Sequence, residues 1–108
     1  MKNEFDAILI DDDELVHMTW KMSAVSNKKR FIGFKSPDDF FSRVLDFNIS
    51  TPVYIDSNLK NGIKGEDIAK RLYEEFGFRN IYLCTGYDPS SFPSMYWIKA
   101  IIGKDPYF

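Results

Sequence analysis

Short unbroken apolar runs alternate with amphipathic stretches along this chain. Ala7-Ile8-Leu9-Ile10, Phe31-Ile32-Gly33-Phe34, Val53-Tyr54-Ile55, Ile81-Tyr82-Leu83-Cys84 and the stretch from Ile98 to Ile102 each read as a strand. A continuous apolar run of this length is what a strand buried on both faces requires. After the first run, Leu15, Met18, Thr19, Met22 and Val25 recur at three- and four-residue spacing, which predicts a helix with that stripe as its inward face. Ser36-Pro37-Asp38-Asp39 opens a second helix. Ser caps free N–H groups, Pro suits the first helical position, and the two Asp favour the positive end of the helix dipole. Phe40, Phe41, Val44 and Leu45 form its expected buried face.

Ser57 to Gly65 is a polar loop that feeds a third helix, with Ile68, Ala69, Leu72 and Phe76 on one side and Gly77 at the position of a C-terminal cap. Pro89 and Pro93 interrupt the segment from Tyr87 to Tyr96, so a single turn or an irregular loop is expected there. Strands alternating with helices predict an α/β fold: a parallel sheet with right-handed crossovers, covered on both faces.

The polar residues then gain meaning from position. The first strand runs into Asp11-Asp12-Asp13, the third into Asp56, the fourth into Thr85-Gly86 and the fifth into Gly103-Lys104. In an open α/β sheet, ligands bind beyond the carboxyl ends of the strands, so these sets converge on one edge. Asp11, Asp12 and Asp56 would repel one another there without a counter-ion. A hard divalent cation relieves this, and Mg²⁺ prefers one or two carboxylates with water and phosphate oxygens. Lys104 adds a fixed positive charge and Thr85 a hydroxyl. A carboxylate so surrounded is suited to accept a phosphoryl group, because the cations offset charge on the transferring oxygens.

Composition narrows the rest. The 108 residues suit one domain, 1–108, and 44% hydrophobic content with ten Phe suffices for a core rich in aromatic rings. The net charge is −2 and the one basic run is Lys28-Lys29-Arg30, which argues against a nucleic-acid partner. Cys84 is the sole cysteine, which excludes an internal disulfide and a cysteine metal cage; a buried strand thiol is expected. The N-terminus turns acidic too early for a signal peptide, and no apolar run nears the ~18 residues of a membrane helix. A soluble cytoplasmic domain without membrane contact is expected. His17 reads as an ordinary helix residue, and Trp20 and Trp97 as packing residues.

Taken together, ILIDDDELV, VYIDSNL, LCTGY and IIGKDP resemble the signature of a response regulator receiver domain of two-component signalling, over nearly the whole chain. The resemblance implies the flavodoxin-like receiver fold, three layers around a five-stranded parallel sheet of order 2-1-3-4-5. It implies Asp56 as the phosphoacceptor, Asp12 as direct metal ligand, Asp11 as the second acidic residue, and the main-chain carbonyl of Asn58 as the third protein ligand of Mg²⁺. Thr85 matches the switch hydroxyl and Lys104 the phosphate-contacting lysine. The implied partner is a histidine kinase or histidine phosphotransfer domain. The domain itself would promote its own phosphorylation and dephosphorylation. Asn58 and Tyr87 match positions that tune the lifetime of the phosphate.

The chain departs from the family pattern in places. Asp105 separates Lys104 from Pro106, so the lysine loop is expected to differ in shape. Ile101 stands where an aromatic switch is usual, with Tyr96 and Trp97 nearby. Lys60 replaces a common proline, in a loop one residue longer before Gly65. The fourth helix reads as degenerate and the fifth as missing, which favours the receiver module of a hybrid sensor kinase over a transcription factor. Two other classes stay open: a pseudo-receiver serving as a non-phosphorylated interaction module, and, further off, a phosphatase with a strand-end aspartate nucleophile. Asn58 offers no second carboxylate for the latter.

Overall fold

The computed structural model describes residues 4–108. Five parallel strands, β1 (Ala7–Ile10), β2 (Phe31–Phe34), β3 (Val53–Asp56), β4 (Ile81–Cys84) and β5 (Ala100–Ile102), pair in the order β2-β1-β3-β4-β5. Three α-helices connect them: α1 (Glu14–Ser26), α2 (Pro37–Phe41) and α3 (Gly65–Phe76). This is the expected order, with α1 on one face of the sheet and α2 and α3 on the other. Alternation along the strands divides the core accordingly. Ile8, Ile10, Val53 and Ile55 join Phe34, Phe40, Phe47, Ala69, Leu72 and Phe78 on the α2–α3 side. Ala7, Leu9, Tyr54 and Cys84 join Trp20 on the α1 side. Phe40, Phe47 and Phe78 are 0–1% exposed, and each fully buried ring of this kind is worth about 1.5–3 kcal/mol.

Helix α1 is turned relative to the sequence expectation. Leu15, Met18, Met22 and Val25 are 52–72% exposed, while Trp20 and Ala24 are buried. The helix carries two apolar stripes, and the one with the large indole wins the core. Helix α2 is also shorter than its pattern. The Ser36 cap accepts from the Asp39 N–H as expected, but the helix stops at Phe41 and a 3₁₀ turn, Val44–Asp46, follows. That break keeps Val44 in the core and turns Leu45 outward.

The other differences are local. β5 begins at Ala100, not Ile98: the Lys99 N–H bonds to Ile81 O, while Ile98 packs against the α2–α3 core. The fourth helix is reduced to a 3₁₀ turn, Pro89–Ser91, capped by the Asp88 side chain. Gly77 closes α3 at φ 78°, as a left-handed cap should. Beyond β5, residues 103–108 form an extended strap along the α1 side of the sheet. Tyr107 lies against Tyr54 and Tyr82, and the Phe108 ring meets Trp20 edge-on at 5.7 Å. No described helix is long and apolar enough to cross a membrane.

Candidate functional site

The register of the sheet places the site. Ile10 pairs with Ile55 and Asp56 pairs with Cys84, so Asp11, Asp56 and Thr85 fall side by side at the carboxyl edge. Carboxylate oxygens of Asp11, Asp12 and Asp56 lie within 4.8 Å of one another. Asp11, Asp56 and Thr85 are buried, and Asp12 is half-buried. From the far side, Lys104 Nζ reaches Asp56 Oδ1 at 2.8 Å and Asp11 Oδ2 at 3.8 Å.

Backbone amides hold two of the three carboxylates. The Asp13 N–H donates to Asp11 Oδ1 at 2.8 Å, and the Asn58 N–H donates to Asp56 Oδ1 at 3.2 Å. The ring of His17 donates through Nε2 to the Asp11 carbonyl at 2.6 Å, a contact its helical position alone did not announce. Asn58 is exposed, and its contact with the cluster is made by its backbone N–H. Thr85 shares no hydrogen bond with the carboxylates among the described residues. Its Oγ1 accepts from the Tyr87 N–H at 3.0 Å, which leaves its own proton to donate.

The loop after β3 absorbs its extra length in a 3₁₀ turn, Lys60–Gly62, where Asn61 and Gly62 take φ of 62° and 71°. It closes on the Leu59 N–H bond to Ile63 O and the Gly65 N–H bond to Ser57 O. Gly65 approaches β3 so closely that a Cβ there would overlap the Asp56 carbonyl. Tyr96 and Trp97 are fastened to α3 instead of the site: Tyr96 donates to Glu74 Oε2 and Trp97 to the Glu66 carbonyl.

Burial dominates the electrostatics. It pushes the Asp11 carboxyl up to about 6; the Asp13 amide opposes this, and the Asp56 charge adds to it. Burial alone would lower the Lys104 ammonium, but the hydrogen bond to Asp56 and the charges of Asp11 and Asp56 outweigh it and hold it above the ordinary lysine value. Burial likewise pushes the Cys84 thiol up to about 12. Asp11 Oδ2 is buried with no hydrogen-bond partner among the described residues. A buried carboxylate oxygen that only the Lys104 ammonium faces, at 3.8 Å, beside two further carboxylates suits a hard divalent cation, so the residues fit Mg²⁺.

No protein-family model and no curated protein matches the sequence. Solved structures do. FixJ-N aligns with a TM-score of 0.75 at 16% identity, covering 94% of this chain and 82% of its own. A CheY-like response regulator receiver domain protein from Methanospirillum hungatei JF-1 aligns with a TM-score of 0.66 at 19% identity, covering 92% and 81%. With its five-stranded parallel sheet of order 2-1-3-4-5, the chain has the fold of the CheY-like response regulator receiver domains.

Proposed function

We propose that this domain accepts a phosphoryl group on Asp56, delivered by the phosphohistidine of a histidine kinase or histidine phosphotransfer partner. The carrying observation is the buried Asp56 carboxylate at the end of β3, paired at 2.8 Å with Lys104 beside Asp11 and Asp12. Both Lys104 and the Asn58 N–H engage Asp56 Oδ1, so Oδ2 carries neither contact and is the oxygen for attack.

An Asp56 oxygen attacks phosphorus, the P–N bond to the donor imidazole breaks, and its electron pair leaves with the imidazole. The product is an acyl phosphate. Lys104 offsets charge on the phosphoryl oxygens, and the Thr85 hydroxyl donates to one of them. Asp11, Asp12, Asp56 and the Asn58 carbonyl would hold Mg²⁺, which supplies further charge neutralisation to the transferring group. Water attack on phosphorus later releases inorganic phosphate and restores the carboxylate.

The reduction of the fourth helix to Pro89–Ser91 leaves little of a helical face between β4 and β5. That supports a role inside a phosphorelay, as the receiver module of a hybrid sensor kinase. The test is incubation with Mg²⁺ and acetyl phosphate, followed by mass mapping of the label. Asp56 should carry it, and Asp56→Asn should abolish it while staying folded. A folded wild-type protein that takes no label at Asp56 sinks the reading.

A further inference from the structure

Lys104 reaches Asp56 from a segment with little support of its own. The β4–β5 ladder ends at the Thr85 N–H bond to Ile102 O, and Gly103 and Asp105 on either side of Lys104 are exposed. A lysine stem of four carbons is flexible, so a wandering backbone beneath it would disperse the ammonium. Among the described residues, two side-chain hydrogen bonds reach the backbone of 103–108, and both come from α1. The Trp20 indole N–H donates to the Lys104 carbonyl at 2.9 Å, and the Ser23 hydroxyl donates to the Phe108 carbonyl at 2.7 Å.

Trp20 and Ser23 are three residues apart, hence on one helix face, and they grip the strap at two points. Trp20 is itself closely packed. It is fully buried, edge-on to Tyr54 at 5.0 Å and to Phe108 at 5.7 Å. A buried indole N–H without an acceptor is costly, so the Lys104 carbonyl satisfies Trp20 as much as Trp20 anchors the loop.

From these contacts we infer that Trp20 is a positioning residue for Lys104: its N–H fixes the lysine backbone so that the ammonium meets Asp56. The consequence for phosphorylation rests on the phosphoacceptor reading; the positioning itself does not. The strap thereby does a second job besides covering the sheet. It carries the cation of the site, and α1 decides where that cation sits.

The test removes the donor and keeps the bulk. Trp20→Phe is the first variant. Benzothienylalanine in place of Trp20, which has the indole shape without the N–H, is the second should the smaller ring unfold the domain. In metal-free protein with ¹⁵N-labelled lysine, the Lys104 ammonium, assigned by its absence from Lys104→Met, should give a resolved resonance in the wild type. In the N–H-deleted variant it should broaden or vanish. An unchanged resonance overturns the proposal. Labelling by acetyl phosphate gives the second readout. Deleting the N–H should slow the wild type by about tenfold and Lys104→Met by less than twofold, since residues acting through one another are not additive. Equal slowing in both backgrounds would mean mere structural damage and overturns it as well. Failure of the wild type to take label at Asp56 would sink the phosphoacceptor reading alone and leave the resonance experiment decisive for Trp20.

Discussion

The Lys104 ammonium and the Asp56 carboxylate form a 2.8 Å ion pair whose acidic partner is almost wholly buried and whose basic partner is partly open to water. Lys104→Met leaves Asp56 and Asp11 facing each other without that cation. Because water still screens the lysine, the loss of stability should be modest, about 1 kcal/mol by urea unfolding in metal-free buffer at pH 7. Acetyl phosphate labelling should fall much further, by about a hundredfold, since the charge is needed most when phosphoryl oxygens arrive.

Asp11 makes stability depend on pH. Its folded-state pKa of about 6 lies above the ordinary 3.8, so the folded protein holds this proton more tightly than the unfolded chain. Stability from this group is therefore fully present below about pH 4 and is lost as pH rises through 6. A shift of this size corresponds to about 3 kcal/mol. With EDTA present, wild-type protein should lose stability between pH 4 and 6.5. Asp11→Asn should lack that slope and be the more stable protein at pH 7. Millimolar Mg²⁺ should raise the melting temperature of the wild type and leave Asp11→Asn nearly unmoved.

Gly65 has no room for a methyl group. Its missing Cβ is where the Asp56 carbonyl passes, and backbone cannot step aside as a side chain can. Gly65→Ala should cost about 2–3 kcal/mol, the upper range for overpacking. It should also reduce labelling at Asp56 by displacing the end of β3. Retained stability and labelling would contradict the close approach.

The exposed stripe of α1 gives the opposite result. Leu15→Gln and Met22→Gln should each change stability by less than about 0.5 kcal/mol, because both side chains are about 70% in water already. Leu72→Ala, on the buried side of α3, should cost about 2–5 kcal/mol.

Cys84 should be inert in the native state. Its thiol is 1% exposed and held up to about 12, so little thiolate exists at pH 8. Ellman's reagent should react only at the rate of unfolding; rapid native labelling would contradict its place in β4.

The sheet was legible because unbroken apolar runs such as Ala7–Ile10 and Ile81–Cys84 have few other readings, and the gathering of Asp11, Asp12, Asp56 and Lys104 at one edge because these residues follow such runs directly. The helices were harder. Helix α1 repeats apolar residues on two sides, and periodicity cannot say which one meets the sheet; the volume of Trp20 and the acceptor waiting at Lys104 settle it. Ile98 reads as strand by its side chain, yet its backbone is taken up by a turn back to Met95. The bonds that organise the site, from Trp20 to Lys104 and from His17 to Asp11, depend on which side chains the fold brings near which carbonyls. No local pattern contains that information.

The tether between Trp20 and Lys104 spans 84 positions of sequence. Loop closure over that distance must precede the arrival of the Lys104 ammonium at Asp56. A nascent chain on the ribosome can align its carboxylates as soon as β1 and β3 pair. The ammonium of residue 104 can join them only after the last strand and the strap have emerged and met the indole, so a half-made domain would present an acidic edge with no lysine to offset it.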